Sequence, residues 1–162
     1  MLAKAGKRRA VVTLPSNTAI EITREFDAPR HLVYRAWATP DLVKRWWHAN
    51  RGEVTLVEMD LRVGGKWRWV MITPKGFEVA FSGEYREIVP NERIVYTERF
   101  EGAPGSPALV TLTLAEQDEV TTATLLVQHN TQFERDMHLN SGMEPGMQDA
   151  LELLEGVANS LR

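Results

Sequence analysis

Apolar and polar positions alternate along most of this chain, and the pattern changes period only near its end. Residues 19–26 set Ile20, Ile22 and Phe26 against Glu21, Thr23 and Glu25, the period-two signature of a half-buried strand. Asp27-Ala28-Pro29 then reads as a helix start, a capping carboxylate followed by an early proline. Leu32, Val33, Ala36 and Trp37 form a short apolar stripe. Thr39-Pro40-Asp41 repeats the start signal, so Leu42, Val43, Trp46 and Trp47 are expected to line a second short helix. Beyond them come strand-like segments at 53–62, 66–73, 77–88, 93–101, 108–115 and 121–129. They are separated by Gly64-Gly65, Pro74-Lys75-Gly76, Pro90-Asn91, residues 102–107 and Gln117-Asp118-Glu119. Connections this short permit only antiparallel hairpins. From Met147 the apolar residues Ala150, Leu151, Leu154, Val157, Ala158 and Leu161 follow helical spacing. Gln148, Asp149, Glu152, Glu155 and Asn159 take the opposite face, with Pro145 and Gly146 setting the start. Residues 131–139 fit a helical turn or a loop.

Neither a lone amphipathic helix nor a one-layer sheet with an apolar face is stable, so each must cover the other. The expectation is an α+β domain: a curved antiparallel sheet of about seven strands around a long C-terminal helix, with two short helices after the first strand. Residues 1–18 read as a basic arm with room for an extra short strand, and residues 19–162 as one domain.

Turn lengths set the register, and register sets the faces. A four-residue turn centred on Pro90-Asn91 pairs Tyr85 with Tyr96, Gly83 with Glu98 and Phe81 with Phe100 on an aromatic face, and Arg86 with Val95 on the other. Asp118-Glu119 at the centre of a turn pairs Leu114 with Ala123, Leu112 with Leu125 and Val110 with Val127, leaving threonines outside and His129 near the open end. At Gly64-Gly65 a glycine-bulged loop puts Trp67 and Trp69 beside Leu61 and Met59; a two-residue turn would instead put Asp60 and Arg62 inside, a costly charged network. The inner face then collects Trp67, Trp69, Met71, Val79, Phe81, Tyr85 and Tyr96, with Trp46 and Trp47 at its edge and Met147, Leu151 and Leu154 opposite. A bent sheet and a single helix often leave part of their interior unfilled, and Gly83 withholds a side chain in mid-strand. An apolar ligand cavity is the expectation.

Composition narrows the function. The 162 residues contain no cysteine, which removes disulfides, thiolate metal sites and a thiol nucleophile and fits a reducing compartment. No apolar run suits a signal peptide or a membrane span, so the reading is cytoplasmic. The net charge of −3 disfavours nucleic acid, and Lys4, Lys7, Arg8 and Arg9 read as a solvated arm. No catalytic, phosphate-loop or dinucleotide motif is present, and no cofactor is expected. His129 and His138 bracket Glu134 and Asp136, without spacing that converges on a metal. Glu98, a carboxylate on an apolar face, and His129 are the candidate acid–base groups, since desolvation would raise the pKa of the former.

Several ordered motifs resemble one family. Residues 22–29 (ITREFDAP), 42–47 (LVKRWW), 60–65 (DLRVGG), 87–90 (EIVP) and 93–98 (RIVYTE) resemble bacterial proteins similar to the C-terminal domain of the activator of the ninety-kilodalton heat-shock protein ATPase. These belong to the START/SRPBCC superfamily, with polyketide cyclases and the birch-pollen allergen. The resemblance implies the helix-grip fold and an internal hydrophobic cavity. Members bind lipids, hormones or polyketides, and some catalyse. The eukaryotic co-chaperone activity depends on a separate N-terminal domain that this chain lacks. Binding of a small apolar or aromatic molecule leads; a cyclase- or hydrolase-like enzyme and a co-chaperone-like interaction domain with a chaperone partner are the alternatives.

Overall fold

The computed structural model describes residues 8–103 and 105–162; of the basic cluster, Lys4 and Lys7 fall outside them. Eight antiparallel strands form one open sheet: β1 (Val11–Thr13), β2 (Ala19–Phe26), β3 (Glu53–Met59), β4 (Lys66–Ile72), β5 (Glu78–Val89), β6 (Arg93–Phe100), β7 (Ala108–Gln117) and β8 (Val120–Gln128). Their order is β1-β2-β8-β7-β6-β5-β4-β3. After β2 the chain crosses to the far edge through α1 (Arg30–Ala38) and α2 (Pro40–Val43), then returns strand by strand. Two helices follow, α3 (Gln132–Leu139) and α4 (Met143–Ser160). The sheet therefore has one strand more than the pattern of strong alternation requires, the short β1 on β2. No helix of the described residues is long and apolar enough to cross a membrane.

The β7–β8 hairpin has the expected register, Leu114 on Ala123, Leu112 on Leu125 and Val110 on Val127. Asp118 and Glu119 both take positive φ, 52° and 62°, which matches the twist of a two-residue turn to that of its strands. The β5–β6 hairpin keeps Phe81 on Phe100 and Tyr85 on Tyr96, but Glu87, not Arg86, faces Val95. Glu92 is an extra residue at the turn and Arg86 a bulge, and the two offset each other, so the aromatic face survives. At the glycine pair the tryptophans share a face with apolar partners, as the bulged loop requires. Those partners are Met59 for Trp67 and Val57 for Trp69, one step earlier than expected, because residues 60–65 form a longer loop. Asp60 and Arg62 lie exposed there, paired with each other at 2.9 Å.

The helix starts differ in detail from the sequence reading. Pro29, not Asp27, occupies the cap of α1, and the free Arg30 amide is met by the Glu116 carboxylate of β7 at 2.8 Å. α2 ends at Val43, so Trp46 and Trp47 stand in the turns after it. α3 resolves the ambiguous segment as a helix whose cap, Thr131, accepts from the Glu134 amide at 3.1 Å. α4 begins at Met143, four residues before the periodic stripe; a proline in the first helical turn costs no internal hydrogen bond. Gln148, on the polar side of the helical wheel, is buried. Its amide accepts from the Ala10 N–H and donates to the Ala10 carbonyl, both at 2.9 Å, clasping the lead-in to β1. Arg24 is also buried among the apolar positions of β2; it faces Glu155 of α4 at 3.5 Å and lies 4.6 Å over the Phe26 ring.

Leu151, Leu154, Val157 and Ala158 of α4 join Ile20, Ile22, Phe26, Leu112 and Leu114 in the buried core. The beginning of α4 is looser. Met143, Met147 and Ala150 pack against this core while remaining half-buried.

Candidate functional site

All five tryptophans stand in one chain of ring contacts. Trp37 meets Trp46 at 5.5 Å between centroids, Trp46 meets Trp69 at 5.9 Å, and Trp69 also meets Trp47 at 5.7 Å and Trp67 at 5.4 Å. The chain continues from Trp67 to Tyr96 at 5.6 Å and from Trp47 through Phe81 to Phe100, at 5.9 and 5.1 Å. Most of these are edge-to-face contacts, the favourable geometry for aromatic quadrupoles. The wall is assembled from three places: β4 supplies Trp67 and Trp69, β5 and β6 supply Phe81 and Tyr96, and the turns after α2 bring Trp46 and Trp47 over them. Trp46 Nε1 donates to the Ala36 carbonyl at 3.0 Å and Trp67 Nε1 to the Thr97 carbonyl at 3.1 Å. The Trp69 Nε1–H is buried with no partner among the described residues.

Burial along the inner side of β6 runs as a gradient. Ile94 is buried, Tyr96 and Glu98 are half-buried, and Phe100 at the strand end is 43% exposed. Phe81 and Trp47, beside Phe100, are also half-buried. Exposure on this face therefore rises toward its mouth at the Phe100 end of β6, with Glu98 one position inside. The grooves over β3–β5 and beside Gly52 are lined by neither Glu98 nor α4, so the expected apolar cavity is not a preformed one there.

Register aligns the two acid–base candidates. Glu98 pairs with Ala108 on β7, and one step beyond the Leu109–Gln128 pair the same Ala108 has His129 on its other side. By continuation of that register, Glu98 and His129 fall on the inner face on either side of Ala108, about 10 Å apart across two strand spacings. Burial pushes the Glu98 carboxyl up to about 7. It also raises the Tyr96 phenol, with the neighbouring Glu98 charge adding to the effect. Tyr85, buried and near Tyr34 and Asp60, is raised too, chiefly by desolvation.

His129 has a partner that nothing in the sequence pairs with it. Its Nε2 lies 3.0 Å from Nδ1 of His138 on α3. Burial lowers the pKa of both, and the mutual repulsion of their charged forms takes His138 to about 4. The two rings are neutral near pH 7 and share one hydrogen bond. α3 is held in place by Arg135, whose buried guanidinium donates to the Ser16 carbonyl at 2.7 Å and to Asp136 at 2.9 Å. Among the described residues, no three His, Asp or Glu side chains form a metal-holding group.

The other proposed ligand contacts fall into two groups. Trp46, Trp47, Trp67, Trp69, Phe81 and Tyr96 are brought together, Tyr85 is buried on the same face, and Met147 and Leu151 come from α4. Met71 and Val79 pair with each other across β4 and β5 but stand outside the main core cluster, with the Met71 Cγ against Gly52. Gly83 opens no space on this wall, because a side chain there would enter the Thr97 carbonyl and approach Trp67 Nε1 to 2.7 Å. A separate groove of about 790 Å³ lies over β3–β5, lined by Glu58, Lys66, Arg68, Ser82, Glu84 and Glu101 among others. Its central cation, Arg68, is held by Glu101 at 3.0 Å, and with Glu58, Asp60 and Glu84 also in the lining the groove carries an excess of carboxylates.

The sequence profile of the family described as activator of Hsp90 ATPase homolog 1-like protein matches residues 27–159. A solved protein from Rhodobacter sphaeroides is 25% identical, with a TM-score of 0.86 over 94% of this chain and 99% of that one. One from Chromobacterium violaceum is 29% identical, with a TM-score of 0.77 over 88% and 98% of the two chains. An AHSA1-like protein from Aeromonas hydrophila shares the fold at 19% identity, with a TM-score of 0.69 over 87% and 93%. No curated protein matches this chain.

Proposed function

From the premise that the chain belongs to the activator of Hsp90 ATPase homolog 1-like family, we propose that it binds a small hydrophobic or aromatic molecule between the aromatic wall and the first half of α4. The fold is compatible with a ligand-binding domain. The carrying observation is the gradient on β6: aromatic residues of the inner face stay half-buried toward an open mouth, where a folded chain would otherwise close over them. An apolar lining with few polar groups is what small-molecule sites share, and here those groups are Glu98, the buried Trp69 N–H and the histidine pair. Since four of the five tryptophans stand in the wall, an occupant should change the intrinsic fluorescence directly. N-phenyl-1-naphthylamine, an uncharged dye, should bind saturably with quenching of tryptophan emission, and mass spectrometry of solvent extracts from freshly purified protein should identify a co-purifying small molecule. Absence of saturable dye binding would reject the reading.

A second reading rests on Glu98 alone. A carboxyl with a pKa of about 7 in one row with a histidine is suited to proton transfer on a bound ligand. Loss of turnover in Glu98→Gln with dye binding retained would favour this enzyme reading over simple binding. A chaperone partner is what the family description suggests. Its support on the described surface is weaker, an exposed apolar pair on α3, Phe133 and Met137.

A further inference from the structure

Glu98 is the charged side chain that the inner wall presents inside its mouth, and among the described residues no hydrogen bond or ion pair answers it. Its neighbours on the same face are Tyr96 and Phe100 along β6 and Ala108 across to β7. The basic side chains nearby are committed elsewhere. Arg99 alternates to the outer face of β6, opposite Ser82. Arg135 is spent on the Ser16 and Ala19 carbonyls and on Asp136. Arg24, also inward, is bound to the Arg8 and Glu25 carbonyls and faces Glu155. The histidine pair at the other end of the row satisfies itself through one N–H and one lone pair.

Glu98 is half-buried with no partner among the described residues, so an apolar body seated beside it would strip its remaining water, a desolvation cost that a complementary ligand group would relieve. A carboxylate ligand would add like charge in the same row and raise that cost. Building on the pocket reading above, we infer that the site takes an aromatic or apolar molecule bearing a basic nitrogen, and disfavours the same skeleton bearing a carboxylate. The apolar body would lie against Trp47, Trp69 and Phe81, with the nitrogen toward Glu98.

The test is a matched series, 1-naphthylmethylamine, 1-naphthalenemethanol and 1-naphthoate, titrated calorimetrically into the full chain at pH 8. The amine should bind at least about tenfold more tightly than the carboxylate, the scale of one charge-assisted hydrogen bond, with the alcohol between them. In Glu98→Gln the amine should fall to the level of the alcohol and the carboxylate should gain. The series in the parent protein decides the matter without the variant. Equal or tighter binding of the carboxylate would overturn the inference while leaving the pocket standing. Failure of all three to bind, together with failure of the uncharged dye, would overturn both.

Discussion

The indole N–H of Trp67 on β4 donates to the main-chain carbonyl of Thr97 on β6, two strands away, at 3.1 Å. It can do so because the residue between them is Gly83, whose missing side chain would occupy the same point. The Thr97 hydroxyl oxygen in turn accepts from the Glu84 amide at 2.9 Å, so the ladder between β5 and β6 is locally rewired around one tryptophan. Gly83→Ala should therefore destabilise the protein by about 1–3 kcal/mol through overpacking against backbone, seen as a lower urea midpoint with an unchanged slope. Stability equal to the parent would mean that this crossing is not fixed in solution.

The hydrogen bond itself is separable from the ring. Trp67→Phe keeps an aromatic body facing Trp69 and Tyr96 but leaves the Thr97 carbonyl without its donor. An unpaired buried acceptor costs about 1–3 kcal/mol, and the smaller ring adds to that. Trp67→Phe should lose stability, whereas Trp47→Phe, whose indole makes no hydrogen bond among the described residues, should lose less under the same urea titration. The reverse order would show that ring volume, not the bond to Thr97, dominates.

Gln148 gives a prediction at the opposite edge of the sheet. Gln148→Leu conserves much of the volume while removing both bonds to Ala10. Loss of two partners beside an edge strand that water can partly reach should cost about 1–3 kcal/mol. Amide exchange in Val11, Val12 and Thr13 should accelerate more than in β7 and β8. Uniform acceleration across the sheet would instead mean that β1 opens only with the whole domain.

Much of this architecture was legible because strand and turn signals are local. Asp118-Glu119 tolerates the positive φ a tight turn demands, and from that turn the whole Leu112, Leu114, Val110 face follows by alternation. The aromatic face of β4–β6 was legible for the same reason, even where the bulge at Arg86 shifts individual pairs, because two irregularities cancel. Gln148 was misread, and Arg24 left unassigned, because a polar side chain cannot be placed inward unless its partners are known. Theirs are Glu155 and the backbone of Arg8 and Ala10, more than a hundred residues away in three of these pairings. The same limit hid the His129–His138 pair: it exists because Arg135 docks α3 on carbonyls at the start of β2. Gly83 was placed on the right face but given the wrong consequence, since alternation says where a side chain would point and not what already stands there.

The acid–base groups of the mouth should oppose each other in stability. Glu98 holds its proton more tightly folded, at about 7 against an ordinary 4.5. Its contribution is therefore fully present below pH 4.5 and is lost as pH rises through 7. His138 is the reverse: burial and His129 bring it from 6.5 to about 4, so its contribution is present above pH 6.5 and is lost as pH falls through 4. At about 1.4 kcal/mol per pKa unit, each amounts to at most about 3.5 kcal/mol, and to less for Glu98, where solvent screens the carboxyl. Tyr96 faces Glu98, and Glu134 and Arg135 act on His129 beside His138; His129, also lowered by burial, adds to the His138 effect in the same direction. Between pH 4.5 and 6.5 acidification strengthens the fold through Glu98 and weakens it through His138, so the two offset each other in part. Relative to the parent, Glu98→Gln should lose stability on acidification across that window, and His138→Gln should gain it. Urea midpoints at half-unit pH steps measure both differences. A Glu98→Gln curve parallel to the parent's would place the carboxyl in water and remove the group on which the ligand preference rests.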